Sequence, residues 1–258
     1  MVLVGILPDS KLRNSGPVWA RGKARIFQLL QRLARAGGLD LQPHRGPPRS
    51  VGQFLANRDF DLVLDVGAST GNYAWTIRSG GYEGRICSFE PLSAPFARLE
   101  KLADGDQQWS CLRLALGSEP GEAQINVAGN SDSSSLLEMG ERHARSDPKS
   151  VYVGTETIEL STVDEIWDRV VREGESVFLK LDVQGFELEA LRGAERSLPR
   201  IAGVQAELSL VPLYEGAPEW TELIAYLQER GFHPERLEPA FEDPQTGEVL
   251  QVDAVFTR

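Results

Sequence analysis

Residues 61–75, "DLVLDVGASTGNYAW", constrain the fold more than any other stretch of this chain. The apolar run Leu62, Val63, Leu64 ends in Asp65, and a glycine, three small residues and a second glycine follow before a helix-like continuation. So short an apolar run, closed by glycines, reads as a buried strand, a tight turn and a helix start. Gly67 lets the chain leave the strand sharply, and Gly71 lets the helix start approach a ligand. Strand, glycine turn, helix is how an open α/β sheet brings its backbone close to a nucleotide.

From Asp61 onward, strand-like and helix-like runs alternate. "DLVLDV" precedes a helix beginning near Asn72, "GRICSFE" precedes one near Ala94–Leu102, and "SCLRLAL" is a third buried strand. "SVFLKLDV" is followed by "FELEALRGAERSL", and "IAGVQAELSL" by "EWTELIAYLQERG". Continuous β-branched and leucine runs between amphipathic helices signal a parallel sheet covered on both faces. Two departures matter. "EAQINVAG" and "YVGTETIELSTVDEI" predict a pair of extra strands, separated by the serine-rich segment 129–150 and followed by a Thr162–Glu165 capping box. At the end, "FHPERLE" and "VLQVDAVFTR" flank "EDPQTGE", whose turn residues predict a hairpin.

Residues 1–60 differ from the rest and are assigned to a helical N-terminal extension, a lid or substrate-recognition element, with the catalytic domain over 61–258. "ARIFQLLQRLARAGG" puts Ile26, Leu29, Leu30 and Leu33 on one helical face, stopped by Gly37 and Gly38, and a second short helix is expected around Val51–Asn57. The basic stripe suits packing on the domain better than lying on a membrane. Charge is split unevenly: residues 1–50 carry nine Lys/Arg against two Asp/Glu, the remainder eighteen against thirty-six, within a net charge of −11. An acidic body disfavours nucleic acid as a partner and favours a cationic cofactor or a neutral substrate. Cys87 and Cys111 sit in strand-like runs and read as small core residues of a reducing compartment. "MVLVGILP" is too short for a signal peptide or a membrane span, so a cytoplasmic location without stable membrane insertion is expected.

Ligands in such sheets bind beyond the carboxyl ends of the strands, where strand order reverses. That edge carries Asp65–Gly71, Glu90, Ala115–Gly117, Asp182 and Glu207. Glu90 closes the second strand, where a carboxylate can accept hydrogen bonds from ribose hydroxyls. A dinucleotide site calls for G-x-G-x-x-G, but here Gly67 and Gly71 give G-x-x-x-G. Asp65 before the turn would repel a pyrophosphate, whereas it suits S-adenosylmethionine, which carries an ammonium and a sulfonium. A purely structural turn is the bland alternative.

"LDVGASTGNYAW", "SFEP", "LALGSEPGEA", "FLKLDVQGFELEALRGA", "VQAELSLVPLYEG", "LQERGF" and "QVDAVF" together resemble, in this order, the FkbM-type methyltransferases. The resemblance runs from about residue 61 to the end of the chain. It implies an α/β class I methyltransferase fold: a Rossmann-like seven-stranded sheet, mostly parallel with an antiparallel C-terminal hairpin, and helices on both faces. It also implies S-adenosyl-L-methionine as cofactor and methylation of hydroxyl groups, as in macrolide, glycan or glycolipid biosynthesis. Carried over, Asp65, Gly67, Ala68, Ser69, Gly71 and Asn72 would form the first cofactor loop. Glu90 would hold the ribose, and Ala115 with Leu116 would flank the adenine. Where the family often has Glu, this chain has Gln184, which weakens any role for that side chain.

Methyl transfer from a sulfonium is an in-line displacement in which positioning supplies most of the acceleration. An alcohol must also lose its proton, so a base or a metal is expected nearby. Asp182, at the end of the fourth strand, is the first catalytic candidate and a cofactor contact. Glu207, at the end of the fifth, is the second, and the two carboxylates could hold Mg²⁺. Pairing of Glu207 with Lys180 or Arg192 is the structural alternative, and Lys180 is expected to reach across the sheet to a carboxylate. His143, in the serine-rich segment, is a third candidate base, though a lone histidine in a polar loop is ordinarily solvated. Tyr214 is placed to line an acceptor pocket. Segment 129–150 reads as a lid, a binding element or a mobile loop. The reading is an S-adenosylmethionine-dependent O-methyltransferase acting on a hydroxylated small molecule, such as a sugar, glycolipid or polyketide-type secondary metabolite. N-methylation of an amine and a non-catalytic nucleotide-binding protein are the alternatives, and a homo-oligomer is a candidate state.

Overall fold

The structure, a computed structural model, describes residues 51–258. The helix expected in "ARIFQLLQRLARAGG", with the rest of the extension up to Ser50, lies outside the described residues. The second short helix is present as α1 (Val51–Asn57).

Strand β1 (Leu62–Val66) is buried at all five positions, because both faces of the sheet are covered. Leu62, Leu64 and Val66 face one apolar layer, while Val63 joins Leu55 of α1 in the other. Helix α2 (Asn72–Ser79), strand β2 (Arg85–Phe89), helix α3 (Ser93–Ala103) and strand β3 (Trp109–Leu112) follow. Beyond them, β7 (Val177–Leu181), β8 (Ile201–Ser209), β9 (His233–Glu242) and β10 (Val249–Thr257) complete a seven-stranded sheet in the order β3-β2-β1-β7-β8-β10-β9. Five strands run parallel, and β10 pairs antiparallel with both β8 and β9. The chain moves outward from β1 to β3 and then returns to the other side of β1 with β7, so strand order reverses between β1 and β7. This is the class I methyltransferase architecture expected for the chain. Pro234 and Pro239, which cannot donate to a ladder, fall on β9 at the sheet edge.

The run "SCLRLAL" is not one strand. It breaks at Arg113, whose guanidinium bonds to Pro91 O at 3.2 Å and to Glu156 at 2.7 Å. The chain then leaves the large sheet as β4 (Ala115–Leu116) and pairs with β6 (Tyr152–Ser161). With β5 (Gly121–Ala128), these make a second sheet in the order β4-β6-β5, which contains the two extra strands. Segment 129–150 folds into α4 (Glu141–Ser146) and a 3₁₀ turn at Pro148–Ser150. Helix α5 (Val163–Val170) is capped as expected, with Glu165 N–H donating to Thr162 Oγ1 at 3.1 Å. The Glu165 carboxylate accepts from Ser161 Oγ instead of closing the box. Helix α6 (Glu187–Arg192) is shorter than "FELEALRGAERSL" suggests: it ends at Gly193, where a Cβ would lie 1.9 Å from Gly117 O. Helix α7 (Trp220–Glu229) buries Leu223 and Leu227 against the sheet. Among the described residues, no helix is long and apolar enough to cross a membrane.

Candidate active site

A cleft of about 480 Å³ opens beyond the carboxyl ends of β1, β7 and β8, with the small sheet and segment 129–150 as its far wall. Gly67, Ala68, Ser69, Asn72, Ala115 and Leu116 line one half. Asp182, Glu207 and His143 line the other, together with Gln184 and Gln251. Three expected cofactor residues, Asp65, Gly71 and Glu90, are not on the cleft wall, and neither is Tyr214.

Backbone builds the first half. Gly67 has φ 76°, and a Cβ there would lie 1.8 Å from Asp182 O, so only glycine fits between β1 and β7. Gly67 N–H and Ala68 N–H both donate to Phe89 O at 3.0 Å, tying the turn to the end of β2. Gly71, with φ 91°, starts α2 beneath Leu99, Leu102 and Trp109. Glu90 lies directly under the turn: one carboxylate oxygen accepts Ser69 N–H and the other Leu92 N–H, both at 2.8 Å. Burial pushes its pKa up to about 7.

Asp65 plays a different part from the one its position suggests. Its carboxylate is fully buried, accepts Ser88 Oγ at 2.9 Å and lies 3.1 Å from Lys180 Nζ. Lys180 thus reaches across the sheet to a carboxylate, as expected. It also donates to Gly67 O at 2.9 Å and lies 3.6 Å from Asp182. Burial works against this ammonium, but the charges of Asp65 and Asp182 outweigh it and hold its pKa above the ordinary value. Neutralised internally, Asp65 does not repel a pyrophosphate; the acids on the cleft wall are Asp132, Asp147, Asp182 and Glu207.

Side chains build the second half. After β7 the chain turns through Gln184 (φ 54°) and Gly185 (φ 95°), and the buried Glu187 carboxylate pins the turn by accepting Val183 and Gly185 N–H at 3.1 and 3.2 Å. This aims Gln184 between two acids: its Nε2 donates to Asp182 Oδ1 at 2.7 Å and to Glu207 Oε2 at 2.8 Å. Gln251 Nε2, from β10, donates to the same Glu207 oxygen at 2.6 Å. Gln184, for which the sequence suggests no role, is therefore the centre of this half. Tyr214 does not line the cleft but stands behind it, its hydroxyl donating to Gln184 Oε1 at 2.6 Å. The hydrogen bonds to Glu207 come from amides rather than from Lys180 or Arg192, and Arg192 pairs with Glu189. Burial, then the charges of Asp182, Glu187 and Asp253, raise the Glu207 pKa well above the ordinary carboxylate range.

His143 is not a solvated loop residue. It is buried on α4, its ring 5.1 Å from Tyr214 edge-on and 5.4 Å from Phe241. Its Nδ1 is sealed from solvent with no partner, and burial lowers its pKa, so the imidazole is neutral. Among the described residues no group of three or more His, Cys, Asp and Glu side chains could hold a metal ion. The two acids proposed as Mg²⁺ ligands meet an N–H₂ group between them, so this donor set does not fit the ion.

A family model described as "Methyltransferase FkbM domain" matches residues 65–234, from the end of β1 to the start of β9. The chain belongs to the FkbM methyltransferase family. It is an S-adenosylmethionine-dependent methyltransferase, and the reversal between β1 and β7 lies inside the matched region. No curated protein matches the sequence. Solved structures similar to this FkbM domain include magnesium protoporphyrin IX methyltransferase from Synechocystis PCC 6803 with bound S-adenosylmethionine, at 10% identity and TM-score 0.44, covering 95% of this chain and 86% of that one. An rRNA methylase from Streptococcus thermophilus is similar at 13% identity and TM-score 0.43, covering 83% and 98%. Aeropyrum pernix fibrillarin with natively bound S-adenosyl-L-methionine is similar at 10% identity and TM-score 0.42, covering 77% and 67%.

Within the FkbM domain, the residues that reading by spacing misses are Gln184 and, beyond the matched region, Gln251. Gln184 carries one sequence signal, its place before the glycine of "DVQGFE"; Gln251 opens the motif "QVDAVF", but nothing in that motif points to Glu207, to which only the β8–β10 pairing brings it.

Proposed function

We propose that this FkbM methyltransferase methylates a hydroxyl of an uncharged, polyhydroxylated small molecule, such as a sugar, glycolipid or polyketide-type metabolite. The observation that carries the reading is the charge of the cleft wall. Among the described residues, Asp132, Asp147 and Asp182 line it with the buried acid Glu207, against one ammonium, Lys180, which lies between Asp65 and Asp182. Such a wall attracts a sulfonium and an ammonium and repels phosphates, which speaks against a nucleic-acid acceptor. A cleft of this size suits a cofactor together with the reacting end of a small acceptor.

The Gly67–Asn72 turn and Glu90 would hold the nucleoside end, with Ala115 and Leu116 against the adenine. Bound there, S-adenosylmethionine supplies a methyl group activated by a positive sulfur. Glu207, whose raised pKa makes its ionised form a better base than a surface carboxylate, takes the acceptor's hydroxyl proton. Asp182, held by Gln184, orients the nucleophile, and Phe241 offers an apolar face beside it. His143 is the alternative proton acceptor, being neutral and on the same wall.

Calorimetry with S-adenosylmethionine, S-adenosylhomocysteine and NAD on the wild type and on Glu90→Ala tests the cofactor assignment. Binding of the first two, lost in the variant, is expected; binding of NAD alone would overturn it. Release of S-adenosylhomocysteine is then followed with neutral polyols, acidic sugars and amines as acceptors. Turnover confined to neutral polyols is expected, and turnover on amines alone would replace O- by N-methylation.

A further inference from the structure

The two acids at the acceptor end of the cleft pose an electrostatic problem. Asp182 and Glu207 approach closely enough for one nitrogen to bond both, at 2.7 and 2.8 Å. Such a pair is commonly bridged by a hard cation, and here a carboxamide stands in that place. Its orientation is over-determined. Nε2 faces two carboxylates, and Oε1 accepts the Tyr214 hydroxyl at 2.6 Å. The backbone carbonyl of Gln184 accepts Ser135 Oγ at 2.7 Å, which fixes the strained turn from below. Turning the amide over would set its oxygen against both acids, so the proton-bearing side must face them.

The geometry also disagrees with a metal. Two N–H bonds diverging from one sp² nitrogen set their acceptor oxygens roughly 5 Å apart. Mg²⁺, with bonds of about 2.0–2.1 Å, wants adjacent ligand oxygens about 3 Å apart, and it cannot share the space with N–H groups pointing at those oxygens.

We propose that the Gln184 carboxamide takes the position a divalent cation would occupy between Asp182 and Glu207, making this acceptor site metal-free, and that Gln184→Glu converts the same three residues into a divalent-cation site. Gln184 is thus a positioning residue: it spaces the two acids by hydrogen bonds alone and brings no charge of its own. The inference rests on the methyltransferase reading only for what the site does, not for the clamp itself.

The test is titration of the full chain with MnCl₂, followed by calorimetry and by the paramagnetic signal of free Mn²⁺. The wild type is expected to show no saturable site at millimolar Mn²⁺. Gln184→Glu gains one site per chain, at least tenfold tighter than any wild-type binding, and loses it again when Asp182→Asn is added. Gln184→Met, which removes the N–H donors without adding charge, falls between the two and serves if the glutamate variant does not fold. A stoichiometric Mn²⁺ site in the wild type that Asp182→Asn or Glu207→Gln abolishes would overturn the proposal. So would a folded Gln184→Glu that binds no better than the wild type. Binding of S-adenosylhomocysteine, measured on the same samples, reports separately on the methyltransferase reading.

Discussion

The two halves of the cleft are built by opposite means. The half at β1 is made of consecutive residues and main-chain groups: a glycine turn over 67–71, two N–H groups on Phe89 O, and one buried carboxyl under Ser69. The half at β7 and β8 is made of side chains from separate elements, Asp182, Gln184, Glu207, Gln251 and His143, brought together by strand pairing and packing, with the Gln184 turn itself pinned by Glu187. Backbone presents the same donors whatever the sequence around it, so the first half suits an invariant cofactor. Side-chain acids and amides can be re-chosen one at a time, so the second half suits an acceptor that differs between proteins.

Lys180 is the residue that joins the halves, and removing it gives the largest effect. Lys180→Met leaves Asp65 buried without a counter-charge, frees Gly67 O and removes the cation beside Asp182. A stability loss of about 3–5 kcal/mol in urea unfolding is expected, because a buried charge loses its partner. Adding Asp65→Asn should restore more than half of it. A loss below about 1 kcal/mol would show that the halves are not coupled through this pair.

Gly67→Ala comes next. The substituted Cβ would sit 1.8 Å from Asp182 O at a φ of 76°, so the turn must move away from β7 or the sheet edge must open. The expected cost is about 2–3 kcal/mol of stability, the upper range for a single substitution, with S-adenosylhomocysteine binding weakened at least ~100-fold in calorimetry. Gly174→Ala, also at positive φ but with nothing within 4 Å, is the control that separates backbone strain from collision. Equal effects at both positions would remove the collision from the argument.

Glu90 sharpens the comparison by pH. Its carboxyl titrates near pH 7 because it is buried, while two backbone N–H groups already favour the ionised form. Ribose hydroxyls donating to it would favour that form further, so binding lowers its pKa and releases a proton. Affinity for S-adenosylhomocysteine should therefore rise between pH 6 and 7, by up to about tenfold, since each pH unit below a linked pKa is worth at most a factor of ten. The rise should level off above the free pKa and disappear in Glu90→Gln. A flat profile in the wild type would detach Glu90 from the ribose.

The same contrast explains what the sequence revealed. The glycine turn and the alternation of buried strands with helices follow from local spacing and reach the structure nearly intact, and Glu90 closes the second strand as expected but stands behind the cleft wall. Asp65 was placed correctly but its charge was not, because its partner Lys180 lies 115 positions away and only the β1–β7 register joins them. His143 read as a loop residue because segment 129–150 has no apolar periodicity; its burial comes from Tyr214 and Phe241, which belong to other elements. "SCLRLAL" looked continuous because a strand carries no mark of the sheet it joins, and the break at Arg113 depends on Glu156 and Pro91.

The smallest expected effect tests whether the halves can be separated at all. Tyr214→Phe removes only a hydroxyl, but that hydroxyl holds Gln184 Oε1 at 2.6 Å from a buried position. The loss leaves one buried acceptor unpaired, worth about 1–2 kcal/mol of stability. Its functional consequence should stay in the acceptor half: the amide is held on one side only, Asp182 and Glu207 lose their fixed spacing, and methyl transfer slows. The glycine turn and Glu90 have no contact with this hydroxyl, so S-adenosylhomocysteine affinity should change less than about twofold, under roughly 0.4 kcal/mol. A parallel fall in cofactor affinity would mean that the clamp and the turn move together through Asp182, whose carbonyl packs against Gly67 while its carboxylate holds Gln184.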